Sequence, residues 1–253
     1  MPHHPASNRQ IFAVLTGDIV GSTKLSSDQM ASVRDTLSKC FDVFNLVRGN
    51  AVEFYRGDSW QVLSREPKWA LRLAILAQAR LTAKLGVHTR VSIGVGSVTD
   101  SNERKISLRT GEAFTLSGGA LDDIPSHFWL TGAIPERFGI IAMWFPVILH
   151  MCNGLMSSWT RRQAELVASM LQLANPTHEA IAASLKPPVT KQSVTGILTS
   201  ANWRTLSEPI KVFEATNWQS FSEVSTEETG KNASLSPDRR KRLPKKSRMK
   251  GNA

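Results

Sequence analysis

The stretch that decides the fold of this 253-residue chain lies near its start and reads Leu15-Thr16-Gly17-Asp18-Ile19-Val20-Gly21-Ser22-Thr23. A continuous apolar run of strand length, Ile11 to Leu15, leads into it. Gly21 supplies the conformational freedom that a tight turn needs. The stretch therefore predicts a strand that feeds a loop, with Asp18 where the strand ends.

A second aspartate lies in a similar place, within the segment Tyr55-Arg56-Gly57-Asp58-Ser59-Trp60. Before it, Val52 and Phe54 alternate with Glu53 and Tyr55, and apolar residues follow it. This pattern predicts a β-hairpin whose exposed tip is Gly57-Asp58. Asp58 is thus a second carboxylate at the end of a strand.

Two helices and one more strand complete the first half of the chain. A capping box at Ser26 to Gln29 starts a helix with apolar residues at helical spacing as far as Val47. Ser64 is predicted to cap a second helix, with Pro67 in its first turn and Gly86 at its end. The strand Arg90 to Gly96 follows, with branched residues on one face and small ones on the other. The fold class is predicted to be α+β, with the ferredoxin-like order β-α-β-β-α-β.

This order has a chemical consequence, because it places the first strand beside the central hairpin. Asp18 and Asp58 then lie close together, and two neighbouring carboxylates are best accommodated by a divalent cation between them. Mg²⁺ and Mn²⁺ prefer such oxygen ligands and keep positions open for phosphates. The backbone N–H groups of the turn Gly21-Ser22-Thr23 are predicted to bind those phosphates. In the alternative interpretation, both aspartates are turn residues without a ligand.

An apolar, aromatic segment, Trp129 to Trp159, occupies the middle of the chain. Its longest apolar run, Gly139 to Met151, is much shorter than the roughly 20 residues that span a bilayer. The segment is predicted to be a core or dimerisation helix interrupted by Pro146.

The following segment has the pattern of three short capped helices. Thr160 opens a capping box, and Thr177 and Thr190 each precede a further helix. The last two helices, joined by a turn at Lys186 to Val189, predict a helix-turn-helix. Its second helix would present polar side chains to the DNA major groove at Lys191, Gln192, Ser193 and Thr195, with Val194, Ile197 and Leu198 in the core. A helical oligomerisation module without DNA is the alternative.

The net charge of +10 is concentrated near the C-terminus. Eight basic residues between 239 and 250 together with Asp238 carry +7 of it, so the rest of the chain carries only about +3. From about Ser222 the composition predicts disorder, and the basic tail either adds affinity for phosphates or only keeps the chain soluble. Cys40 and Cys152 are expected to be buried thiols. With no signal-like segment in the sequence, a cytoplasmic protein is expected.

The motifs together resemble those of known families. Residues 13–23, Gly57-Asp58 and the strand 90–96 resemble the metal-binding segments and following strand of class III adenylate and guanylate cyclases. The bacterial SatD-like family is more similar still, over roughly residues 10–212. Its shared motifs are a Gly-Asp-Ile opening, a Gly-Asp-x-Phe-Gln hairpin (here Gly57-Asp58-Ser59-Trp60-Gln61), an Arg-x-x-x-Gly-x-Gly strand, the element Gly111-Glu112-Ala113-Phe114 and a C-terminal helix-turn-helix.

The cyclase resemblance implies a palm domain in which Asp18, Ile19 and Asp58 hold two metal ions and a nucleoside triphosphate. The chain departs from cyclases after the last common strand, where Leu116-Ser117-Gly118-Gly119 replaces the catalytic Asn and Arg. A nucleotide-binding palm without turnover, joined to a DNA-binding module in a regulatory homodimer, is therefore the leading hypothesis. An active nucleotidyl cyclase or oligonucleotide synthase, and a scaffold with an inactive palm, are the alternatives.

The sequence also predicts where the parts of the chain begin and end. The expected parts are an N-terminal tail (1–9), the palm domain (10–124), a connecting apolar helical segment (125–158), the helix-turn-helix domain (159–214) and a disordered basic tail (215–253).

Overall fold

The computed structural model describes residues 10–42, 52–99, 105–172 and 176–222. Within these ranges the chain is a mixed α/β structure with one five-stranded sheet and eight α-helices. The predicted N-terminal tail, the end of the first predicted helix at Val47 and the basic tail beyond 222 lie outside the described residues.

The sheet is built from strands β1 (Ile11–Ile19), β2 (Glu53–Tyr55), β3 (Ser59–Ser64), β4 (Thr89–Ser97) and β5 (Leu130–Ala133). Their order across the sheet is β2-β3-β1-β4-β5. Neighbouring strands are antiparallel except β4 and β5, which are parallel. The first strand is therefore central, between the hairpin strand β3 and β4.

The helices are α1 (Ser27–Asp42), α2 (Ala70–Leu85), α3 (Glu112–Asp122), α4 (Ile140–Met156), α5 (Arg161–Met170), α6 (His178–Ser184), α7 (Lys191–Ser200) and α8 (Trp203–Ala215). Short 3₁₀ turns at Ser22–Lys24 and Pro67–Trp69 precede α1 and α2. The Ser26 side chain caps α1 by accepting a 3.2 Å hydrogen bond from the Gln29 amide, and α2 ends at Gly86 in the left-handed conformation.

The central strand is apolar on both faces because both faces are covered. Ile11, Ala13 and Leu15 belong to the main core with α1 and α2, whereas Phe12 and Val14 pack in a second cluster with Ala113 of α3. A continuous apolar run, rather than alternation, is typical of a strand buried in this way.

Helix α3 approaches the sheet closely over the small face of β4. A Cβ atom placed on Gly94 would overlap the Ala113 carbonyl and lie 2.6 Å from the Ser117 amide. A Cβ atom placed on Gly96 would lie 2.8 Å from Oε2 of Glu112 and 3.2 Å from the Ala113 amide, both in α3. The two glycines thus let the backbones of α3 and β4 come together, which agrees with the predicted division of this strand into a branched and a small face.

Several sequence-based details are corrected. β1 continues through Asp18 to Ile19, so Asp18 lies inside a paired strand rather than at its end. Ser64 belongs to β3 and no side chain caps the turn before α2. Asp58 is half-buried, not fully exposed. Helix α4 is continuous through Pro146, which does not interrupt it.

The C-terminal helices pack directly on the first half of the chain. Arg72 of α2 forms a two-pronged ion pair with Glu214 of α8 and donates to the Leu171 carbonyl at 3.2 Å. Gln219 bonds the backbone of Ile11 through both ends of its amide, at 2.9 and 2.8 Å. The two halves share one hydrophobic core, and the predicted domain boundaries stay predictions.

In the described part of the chain, no helix combines the length and the apolar character that crossing a membrane requires.

Candidate functional site

Asp18 lies directly between two neighbouring strands. In the sheet register it is opposite Ser59 of β3 on one side and Arg90 of β4 on the other. Because β3 begins immediately after the hairpin turn, this register also brings Asp58 to the same end of the sheet. The Ile19 amide donates a 3.2 Å hydrogen bond to the Asp58 carbonyl, which joins the two predicted segments through their backbones.

The carboxylate of Asp18 is held by the guanidinium of Arg90. Arg90 Nε donates to Asp18 Oδ1 at 2.8 Å, and Arg90 Nη2 donates to Asp18 Oδ2. The Arg90 side chain is 34% exposed and the Asp18 side chain is 20% exposed, so water still reaches the pair. Such a bidentate contact fixes orientation as well as charge.

Asp58 has hydroxyl partners instead of a cation. Ser22 Oγ donates to Asp58 Oδ2 at 2.5 Å, and Ser59 Oγ lies 3.5 Å from Asp58 Oδ1. Gly21, with φ of 70°, turns the chain so that Ser22 faces the hairpin. Of the three predicted phosphate-binding residues, Ser22 therefore contacts the aspartate, whereas Gly21 and Thr23 are exposed on the loop.

The guanidinium of Arg90 interacts electrostatically with several carboxylates at this end of the sheet. Its hydrogen bond to Asp18 raises the pKa of its guanidinium, and the charges of Asp18, Asp122 and Asp58 raise that pKa further. Asp122 comes from the last turn of α3. The charges of three carboxylates thus act on one guanidinium, and we refer to Asp18, Asp58, Asp122 and Arg90 as the carboxylate cluster.

With the side chains placed as they are, Asp18 and Asp58 are not free to bind a cation together. Both Asp18 oxygens are already bonded to Arg90, and one Asp58 oxygen accepts from Ser22. Among the described residues, no group of three His, Cys, Asp or Glu side chains is arranged to hold a metal ion. A divalent cation would have to displace the guanidinium, so metal binding by Asp18, Ile19 and Asp58 stays a prediction.

A buried network supports the strand at Asp18. Thr89 Oγ1 donates to the Asp18 carbonyl at 2.6 Å and accepts from Trp60 Nε1 at 3.0 Å. The Thr89 amide in turn donates to Gln78 Oε1 at 3.0 Å. The backbone around Asp18 is therefore tied to α2, because Gln78 belongs to that helix.

His88 continues the same network toward the surface. Since Gln78 Oε1 accepts from Thr89, the Gln78 amide nitrogen faces His88 Nδ1 at 2.8 Å and donates to it. Nδ1 is then an unprotonated acceptor, and the ring stacks on Trp129 with centroids 4.0 Å apart. Burial lowers the pKa of His88, which favours this neutral form.

The second group of predicted site residues lies on α7. Lys191, Gln192, Ser193 and Thr195 are all exposed, whereas Val194 and Leu198 are buried and Ile197 is half-buried. Thr190 caps the helix by accepting a 3.1 Å hydrogen bond from the Ser193 amide. The polar residues thus share the solvent side of the N-terminal half of α7.

Helix α7 is fixed by its neighbours α5 and α6. His178 Nδ1 lies 2.9 Å from Thr195 Oγ1, and the Val189 amide donates to the Ala182 carbonyl at 3.2 Å across the turn. Thr160 and Thr177 cap α5 and α6, as the sequence predicted. The exposed face of α7 is therefore presented by a packed three-helix unit.

No model of a protein family matches the chain, and no curated protein is similar to it. Among solved structures it is similar to a crystal structure of the guanylyl cyclase Cya2, with 18% identity and a TM-score of 0.37. That match covers 49% of this chain and 75% of the cyclase chain. A likeness of this size does not by itself assign a family or an activity.

Proposed function

We propose that the chain is a DNA-binding regulatory protein in which α6 and α7 form a helix-turn-helix and the N-terminal half of α7 enters the major groove. One observation carries this proposal. The four side chains that the sequence selects for base contact are all exposed, while Val194 and Leu198 of the same helix are buried. Polar side chains at the start of a second, exposed helix are what direct readout requires.

The charge around α7 supports the same proposal. No Asp or Glu occurs between Glu179 and Glu208, and this stretch contains Lys186, Lys191 and Arg204. A stretch of chain without carboxylates adds no repulsion of the phosphate backbone, and phosphate contacts supply much of the affinity of a protein for DNA. The basic residues between 239 and 250 are proposed to add sequence-independent affinity.

For the first half of the chain, we propose a ferredoxin-like palm of the SatD-like type that performs no turnover. The sheet order and the antiparallel pairing of β1 with β3 and β4 support this assignment. The pairing of Asp18 with Arg90 supports the absence of turnover, because a two-metal reaction needs both carboxylates as ligands. If the chain were an active nucleotidyl cyclase, it would release pyrophosphate from ATP or GTP in the presence of Mn²⁺. We expect no pyrophosphate release.

Nucleotide binding is proposed to depend on a cation for an electrostatic reason. The charges of Asp18, Asp58 and Asp122 all act on the Arg90 guanidinium, and these three carboxylates would repel a bare triphosphate. A cation that neutralised the carboxylates would first compete with Arg90 for Asp18. If neither cation nor nucleotide binds, the palm is a scaffold for the helical half.

The proposal is tested by equilibrium binding of the full-length chain to labelled duplex DNA at several salt concentrations. The matched comparison is Lys191→Ala/Gln192→Ala on α7 against Glu208→Ala on the exposed surface of α8. We expect the α7 variant to lose discrimination between DNA sequences and the α8 variant to keep it. Equal binding by all three proteins to every sequence would overturn the assignment of α7.

A further inference from the structure

Helix α4 exposes an unusual number of large apolar side chains. Of the eight such side chains that are exposed in the described part of the chain, five lie on this one helix: Ile140, Met143, Trp144, Val147 and Met151. Their spacing, i, i+3, i+4, i+7 and i+11, places them in one row along the helix. We call this row the α4 ridge.

The ridge has no charged residue to keep it in water. None of the 17 residues of α4 is Asp, Glu, Lys or Arg. The opposite side of the helix packs against the core through Phe145, Leu149, Cys152 and Met156. A helix that is apolar all round is typical of a fully buried position, yet the ridge is 43–72% exposed.

A groove runs beside the ridge, between α4 and α8. Its volume is about 310 Å³, and its walls are almost entirely apolar. The side chains that form it include Ile148 and Leu155 of α4 and Pro209, Val212 and Phe213 of α8. Met151 belongs to both the ridge and the groove wall, so the two features are adjacent parts of one surface.

We infer that the α4 ridge and the adjoining α4–α8 groove form the interface between two copies of this chain. A two-fold interface uses the same patch on both subunits, so it needs a projection and a complementary recess within that patch. The ridge and the groove supply both. This inference does not depend on the proposed DNA binding.

The size of the patch agrees with a dimer contact. The exposed fractions of the ridge side chains correspond to on the order of 600 Å² of apolar surface, before the groove walls are included. A stable interface buries about 800 Å² on each partner, and monomers seldom leave contiguous apolar patches of this size exposed. One copy of the ridge seated in the groove of the other would remove most of this surface from water.

A second copy is a better occupant than a lipid surface. Helices that lie on membranes carry Lys and Arg along the edge of their apolar face, where these residues meet anionic headgroups. Helix α4 has none. The same lack of charge suits a contact with an identical neutral helix, because no like charges meet across the two-fold axis.

The first test is the molar mass of the full-length chain in solution, measured by light scattering and sedimentation. We expect the wild type to be a dimer and Val147→Asp, in the middle of the ridge, to be a folded monomer whose thermal midpoint does not depend on protein concentration. Leu108→Asp is the matched control, because Leu108 is 60% exposed but lies outside the patch. A monomeric wild type, whether or not it binds phosphatidylcholine vesicles, overturns the inference.

A second test identifies the surface independently of dimer stability. The native thiols react poorly, because burial raises the pKa of both Cys40 and Cys152 to about 12. Val147→Cys therefore adds one reactive thiol on the ridge, and a short bis-maleimide should link two chains through it. Leu108→Cys should remain unlinked. If the protein is dimeric but only the control cross-links, the interface lies elsewhere and the inference fails.

Discussion

Arg90 and Asp18 face each other across neighbouring antiparallel strands, and the guanidinium donates to both oxygens of the carboxylate. This pair occupies the place where the sequence predicts a metal-binding aspartate. The positive charge that balances Asp18 thus comes from the protein itself. Two roles for Asp18 can therefore be tested. In one it binds a cation, and in the other it is a structural partner of Arg90 at the end of the sheet.

If the pair is structural, its removal should destabilise the fold. Arg90→Gln leaves Asp18 with no cationic partner near Asp58 and Asp122, and we expect a loss of about 1–3 kcal/mol of unfolding free energy. Asp18→Asn/Arg90→Gln should lose less than the two single substitutions together, because contacting residues are coupled. Urea unfolding of the four proteins measures this coupling. Strict additivity would show that the pair contributes nothing.

Metal binding is expected to be controlled by the same arginine. Arg90→Gln frees both oxygens of Asp18 from the guanidinium, and Mn²⁺ should raise the thermal midpoint of this variant more than that of the wild type. The increase should disappear in Arg90→Gln/Asp58→Ala. A large Mn²⁺ shift in the wild type that requires Asp18 would instead support a resident metal site, with Arg90 readily displaced.

The close approach of α3 to β4 can be tested with two glycines. Gly94→Ala should cost about 1–3 kcal/mol, because the new methyl group meets the backbone of α3 and cannot be accommodated by a side-chain rotation. Gly118→Ala, inside α3, has nothing within 4 Å of its new methyl group. It should be neutral or stabilising by up to about 1 kcal/mol. Equal effects on the unfolding free energy would contradict the packing described for this face.

His88 should make stability depend on pH. Burial lowers its pKa in the folded state below its ordinary value of 6.5, so the unfolded chain takes up the proton first as the pH falls. The free energy of unfolding should therefore be constant above about pH 6.5 and decrease below it. His88→Phe should reduce this slope, whereas His127→Phe, at an exposed histidine, should not. Thermal melts between pH 5 and 8 provide the measurement, and identical slopes would be inconsistent with a neutral, half-buried His88.

The sequence predicted best those features that depend on neighbouring residues. The caps at Thr160, Thr177 and Thr190 need only a side chain and an amide three residues away, and all three are present. The turn at Gly57 likewise follows from local backbone preference, since Gly57 has a positive φ; the positive φ of the neighbouring Arg56 is not predicted by such a preference.

Features that depend on register and packing were missed. The sequence predicts that Arg90 begins a strand, but the pairing of Arg90 with Asp18 follows from the alignment of β4 on β1, which no local pattern encodes. Asp122 reaches the cluster from the far end of α3. The composition of α4 indicated a buried or dimeric helix, but only its packing reveals which side chains face solvent.

The central claim, that α7 reads DNA, is tested most directly by selecting bound sequences from a random duplex pool with the full-length chain. We expect the wild type to enrich a defined sequence. Lys191→Ala/Gln192→Ala should change or abolish that preference, at a cost of about 1–3 kcal/mol for the selected site, while Glu208→Ala enriches the same sequence. Enrichment of no sequence by the wild type, or of the same sequence by the α7 variant, would contradict the claim.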